Sequence, residues 1–125
     1  MSFESTRARI RAWDAPKLAS LRESRYHQYM ADLAYRKLND DEIEAALKWA
    51  PGWTIEDGLL TREYSFDKYK DGVVFASAVG FVADKLDHHP DMTVSYGKVR
   101  VAVNTHSVGG ISPYDFELAR RIDAL

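Results

Sequence analysis

Residues 67–103 read DKYKDGVVFASAVGFVADKLDHHPDMTVSYGKVRVAV, and the change of hydrophobic period inside this stretch decides the fold. Phe75, Ala78, Val82 and Leu86 recur at helical spacing, so a helix is expected from Asp67 to Asp87. Gly80 within it is tolerated at roughly 1 kcal/mol against alanine and suggests close packing. Pro90 stops the helix, because the residue before a proline avoids the helical region. The period then falls to two. Met92, Val94 and Tyr96 read as one strand, Gly97 as a turn, and Val99, Val101 and Val103 as a second, β-branched strand.

Working outward, the N-terminal side carries a similar unit. Trp53 and Ile55 alternate with polar neighbours, Asp57-Gly58 suggests a tight hairpin, and Leu60, Tyr64 and Phe66 continue one face of the returning strand. Thr54 and Gly58 recur as Thr93 and Gly97, thirty-nine positions later. Asn39 and Glu42 form a capping-box pattern ahead of a helix with Ile43, Ala46, Leu47 and Ala50 on its apolar face, ended by Pro51-Gly52. On the C-terminal side, Ser112, Pro113 and Asp115 supply an N-cap, a first-turn proline and a carboxylate at the third helical position. Ile111 and Phe116 flank that start as a hydrophobic staple, and Leu118, Ile122 and Leu125 follow on the buried side.

The order from residue 39 is αββαββα. Hairpins joined through helices give an α+β two-layer sandwich, a four-stranded antiparallel sheet with helices on one face. Residues 1–38 read as an N-terminal helical extension, with Pro16 in a first turn and Tyr26, Tyr29, Met30 and Leu33 along one stripe. The expected division is therefore 1–38 and 39–125.

Composition narrows the function. The 125 residues are 46% hydrophobic and 29% charged, an ordinary globular mixture and the length of one domain. A net charge of −2 gives no electrostatic reason to expect nucleic acid or an anionic membrane as partner. The absence of cysteine removes disulfides, thiolate metal sites and a cysteine nucleophile. The longest apolar run, Gly72 to Ala83, falls short of the about 20 residues that cross a bilayer. With no apolar signal core at its start, the protein is expected to be cytoplasmic.

Histidine carries the candidate chemistry. His88, His89 and His106 fall within nineteen residues, and imidazole both gives and takes a proton near neutral pH. The first two lie at the end of the predicted helix and the third beyond the Val99–Val103 strand, so the fold can bring helix end and strand end together. The alternative is a solvated helix cap and a loop residue. Strand parity puts His106 on the non-valine side unless the strand ends first. Asp84, Asp87 and His88 share a helix face, which leaves a mixed metal site as a second alternative, although adjacent histidines usually diverge. No Gly-x-Ser-x-Gly elbow or Gly-rich phosphate loop is present.

His88-His89-Pro90, five residues, Tyr96, two residues, then Val99-x-Val101-x-Val103-x-Thr105-His106 resembles the signature of the pterin-4a-carbinolamine dehydratases. The resemblance runs from about Leu38 to the C-terminus. It includes Gly52-Trp53, Tyr64-x-Phe66, Asp84-Lys85-Leu86-Asp87 and Ser112-x-x-Asp115. It implies conversion of a 4a-hydroxytetrahydropterin to a quinonoid dihydropterin and water, in the recycling of tetrahydrobiopterin, without metal or organic cofactor. His88, His89 and His106 would be catalytic. Asp84, Asp87, Asp115, Trp53 and Thr105 would support the substrate, although Asp84 stands where many members have glutamate and Met92 where many have an aromatic. Asp115 reads equally as a helix cap, Trp53 equally as a core residue, and Asp87 as a carboxylate that orients a neighbouring histidine. The resemblance also implies a homo-oligomer, a dimer through sheet edges or a tetramer through helices. The competing reading is a non-catalytic dimerisation or assembly module of the same fold.

Overall fold

A computed structural model of the chain describes residues 33–125. Helix α1 (Asp40–Leu47) is followed by β1 (Thr54–Glu56), β2 (Leu59–Ser65), helix α2 (Tyr69–Leu86), β3 (Asp91–Ser95), β4 (Lys98–Val103), a 3₁₀ turn (His106–Val108) and helix α3 (Pro113–Asp123). This is the αββαββα order. The strands form one antiparallel sheet in the order β1-β2-β4-β3, so the two hairpins join through the β2–β4 pair at its centre. Most of the expected N-terminal extension lies outside the described residues. Its last six positions, 33–38, carry no helix.

Local chemistry explains the element ends. Asn39 accepts from the Glu42 N–H at 2.8 Å while the Glu42 carboxylate accepts from the Asn39 N–H at 3.0 Å, closing the capping box of α1. Those contacts, with Arg36 beyond them, hold the Glu42 carboxyl below its ordinary range. Asp57 and Gly58 both have positive φ, 52° and 77°, as the two-residue β1–β2 turn requires. At the end of α2 the chain turns through a left-handed Asp87, φ 54°. There the His88 N–H bonds the Ala83 carbonyl at 3.0 Å and the Asp87 N–H that of Asp84 at 3.1 Å, the paired bonds of a Schellman motif.

Register puts Leu60, Arg62 and Tyr64 of β2 opposite Val103, Val101 and Val99 of β4, and Met92 and Val94 of β3 opposite Val101 and Val99. Helix α2 packs over β3 and β4 and against α3. Leu60, Val79, Val99, Val101 and Leu118 are fully buried, each such side chain contributing about 1.5–3 kcal/mol. Met92 and Val94 remain over a third exposed because β3 is the edge strand. Tyr96, expected inside the strand, lies in the turn beyond it, 77% exposed.

The expected apolar positions of α2, Phe75, Ala78, Val82 and Leu86, are half-buried, and Gly72, Val79 and Ala83 beside them are fully buried. One expectation for α2 needs correction. Gly80 does not mark close packing, for a Cβ there meets nothing within 4 Å; Gly72 does, where a Cβ would lie 3.3 Å from Val99 Cγ2. Gly80→Ala is therefore expected to stabilise the fold by about 0.5–1 kcal/mol, measured as a rise in denaturation midpoint at unchanged slope.

A polar latch ties the end of α3 to the sheet. Asp123 accepts from Trp53 Nε1 at 2.9 Å, from Arg62 Nη1 at 3.2 Å and from the Tyr64 hydroxyl at 2.5 Å. Burial first, and then the Asp123 carboxylate, raise the Tyr64 hydroxyl well above its ordinary range. The Arg62 guanidinium lies over the Tyr64 ring and so close to Gly52 that a Cβ there would approach it to 2.7 Å. Among the described residues no helix is long and apolar enough to cross a membrane.

Candidate active site

The reversal at Asp87 sends His88 and His89 in different directions. His88 turns inward and is only 8% exposed; the His89 side chain keeps 57% of its surface. Strand β4 ends at Val103, so parity stops applying before His106 is reached. Thr105 then pairs with Gly110 through a Thr105 N–H to Gly110 carbonyl bond of 2.8 Å, which closes a tight loop around the 3₁₀ turn. His106 is the first residue of that turn and is exposed. The Thr105 hydroxyl lies 3.5 Å from His88 Nε2, so strand end and helix end do meet.

His88 joins a buried polar cluster. Its Nε2 is 2.6 Å from Asp115 Oδ1, and the Asp115 side chain is fully buried. Asp115 Oδ2 accepts from the Thr105 hydroxyl and from the Ser112 N–H, both at 2.8 Å. The Ser112 and Thr105 hydroxyls are 2.6 Å apart, and Ser112 Oγ accepts from the Tyr114 N–H at 3.2 Å. An ionised Asp115 only accepts, so in that state the hydrogen of the contact belongs to His88 Nε2, and in a neutral ring Nδ1 then carries the lone pair. Burial of this many polar groups is sustainable because each has its partner.

His89 carries a second, exposed pair, Nε2 to Asp84 Oδ1 at 2.9 Å, with Asp84 74% exposed. By the same rule its Nε2 donates. Asp84 and His88 thus serve different partners, and among the described residues no three His, Asp or Glu side chains gather as a metal site would require.

Not every expected site residue reaches the histidines. Asp87 contributes its left-handed backbone, while the rings expected to lean on its carboxylate lean on Asp115 and Asp84. Thr105 and Asp115, 2% and 0% exposed, lie beside His88 with their side-chain oxygens engaged inside the protein. Trp53 is buried, and its indole N–H serves Asp123; it walls the core. The aromatic rings beside His88 are Tyr114, centroid 5.7 Å away, and Tyr35, 6.3 Å away, stacked on each other at 4.2 Å. Sequence reasoning missed both tyrosines. The only available signal was the place of Tyr114 beside Asp115; Tyr35 falls in the stretch assigned to the extension.

A cleft of about 700 Å³ lies elsewhere, lined by Gly52, Arg62, Tyr64, Phe75 and Asp123 among others and by none of the histidines. Its arginine and tyrosine both bond the Asp123 carboxylate.

The family model described as Pterin 4 alpha carbinolamine dehydratase matches residues 36–125. The "Putative pterin-4-alpha-carbinolamine dehydratase" of Halobacterium salinarum is 44% identical over 87 residues, 70% of this chain and 93% of that protein. A protein of the same name from Sulfolobus acidocaldarius is 37% identical over 89 residues, 71% of this chain and 98% of its own length. Among solved structures, the transcriptional coactivator/pterin dehydratase from Brucella melitensis superposes with a TM-score of 0.68 at 32% identity, over 71% of this chain and 97% of that one.

Proposed function

The chain belongs to the pterin 4 alpha carbinolamine dehydratase family, and we propose that it dehydrates a 4a-hydroxytetrahydropterin by histidine acid–base catalysis. In this reaction the C4a–O bond breaks as the oxygen takes a proton and leaves as water. The N5 proton departs, and its electron pair forms the C4a=N5 double bond. One group must give a proton and another take one, at positions a ligand can reach.

The observation that supports the reading is the 3.5 Å approach of the hydroxyl of Thr105, the residue before His106, to His88 Nε2 at the end of α2. His88 and His89 each have a carboxylate on Nε2, so each offers Nδ1 for transfer, and the carboxylate steadies the imidazolium when that nitrogen is protonated. A protonated ring gives its proton to the leaving oxygen, and a neutral one takes the proton from N5. His106, exposed at the start of a turn closed by the Thr105–Gly110 bridge, completes the set. The chemistry asks for no metal or organic cofactor.

The test is purified full chain added to chemically generated 4a-hydroxytetrahydropterin, followed by ultraviolet absorbance. Faster dehydration supports the enzyme. An unchanged rate would leave the non-catalytic assembly module as the better reading.

A homo-oligomer is part of the same proposal. Strand β3 lies at a sheet edge, and Val74 and Phe81 of α2 are 67% and 74% exposed, surfaces that a second copy would cover. Sedimentation should then give a mass that is a multiple of 14.2 kDa; a monomer would reject it.

A further inference from the structure

The hydrogens of the buried cluster run in one direction only. The Tyr114 N–H is spent on Ser112 Oγ, so the Ser112 hydroxyl hydrogen is free to point elsewhere. Thr105 has a single hydroxyl hydrogen, and it goes to Asp115 Oδ2. The 2.6 Å contact between the two hydroxyls must then be Ser112 donating to Thr105. With the Ser112 N–H also on Oδ2, that oxygen is doubly occupied, and Oδ1 is left for His88.

We infer that Thr105 and Ser112 are positioning residues: through the order Ser112 to Thr105 to Asp115, they hold the carboxylate against His88 Nε2, and by holding it there they keep the hydrogen on that nitrogen and leave the other free to transfer a proton. The value of this arrangement for catalysis rests on the functional reading above, but the chain of bonds does not. Backbone contacts hold the relay rigid. Thr105 is pinned by Gly110 on one side, and Ser112 is the N-cap of α3 on the other. A wrongly placed hydrogen on His88 would turn a donor towards the reaction in place of a lone pair.

Thr105→Val keeps the shape of the side chain and removes the hydroxyl. It strands the Ser112 hydroxyl and leaves Oδ2 held by the Ser112 N–H alone, so the carboxylate is held less firmly against His88. The full chain, with nitrogen-labelled histidine, is studied at a pH where the nitrogen shifts themselves report a neutral ring. Two-bond proton–nitrogen correlations then read the tautomer. Unmutated His88 should show the Nε2–H form alone. Thr105→Val should add the Nδ1–H form and lower kcat about 10–100-fold, with KM near the unmutated value, the loss typical of removing an outer partner of a working ligand. Thr105→Ser, which keeps the donor, should restore both. An Nδ1–H tautomer in the unmutated chain overturns the inference without recourse to any variant, and so does a single Nε2–H tautomer in Thr105→Val. A chain that shows the expected tautomers yet fails to dehydrate the carbinolamine refutes the functional reading and upholds the relay.

Discussion

Alanine at His89 or at His106 is expected to lower turnover of the pterin carbinolamine by about 10²–10⁴-fold while leaving the melting temperature nearly unchanged. Removing a positioned acid or base forfeits the proton transfer, and water substitutes poorly for it. Neither ring supports the core: the His89 side chain is 57% exposed and, among the described residues, pairs with an Asp84 that is itself 74% exposed, and such pairs contribute about 0–1 kcal/mol. His106 stands exposed on a turn whose closure depends on Thr105 and Gly110 rather than on its own ring. Steady-state kinetics beside thermal denaturation would decide. A large fall in melting temperature with activity retained would make them structural residues.

Asp115 should behave in the opposite way. Asp115→Ala removes one carboxylate from beneath three donors, the Thr105 hydroxyl, the Ser112 N–H and His88 Nε2, all buried. Breaking a buried pair of this kind costs about 3–5 kcal/mol, because the partners stay desolvated. At about 4–8 °C per kcal/mol for a domain of this size, melting should fall by well over ten degrees. Asp115→Asn separates the two jobs of the residue. Its amide oxygen still accepts from Thr105 and Ser112, so much of the stability should survive. Its NH₂ would face His88 Nε2 and force the hydrogen to Nδ1, so activity should fall about 10²–10⁴-fold. Equal loss of stability in both variants, with activity retained in Asn, would leave Asp115 as a cap only.

The fold was legible wherever a local rule decides. Asn39 with Glu42 and Ser112 with Asp115 name their own hydrogen bonds, and Asp57-Gly58 names its turn, because these contacts close within a few residues. The face of α2 was not legible to one residue. Val73, Val74 and Phe81 are as apolar as the buried Val79 and Ala83, so periodicity alone does not single out the side that meets the sheet.

The site divides in the same way. Three histidines at a helix end and a strand end could be read, and the strand ending at Val103 removed the parity objection to His106. Which of two adjacent histidines is buried could not, since that follows from the left-handed turn at Asp87, an unusual conformation for a residue other than glycine. Asp115 was readable as a cap or as a site residue. One oxygen accepts from the α3 cap and the other bonds His88, a division that spacing alone does not reveal. Tyr35 and Tyr114 meet through chain separated by most of the domain, and Trp53 finds Asp123 seventy positions away. No local pattern encodes such partners.

A crystal of the full chain soaked with a non-reacting reduced-pterin analogue tests the central claim most directly. The account predicts the C4a–N5 edge of the ring within hydrogen-bonding reach of His89 and His106, with His88 behind them on Asp115. A pterin seated instead in the cleft of Arg62 and Tyr64, away from all three imidazoles, would contradict it.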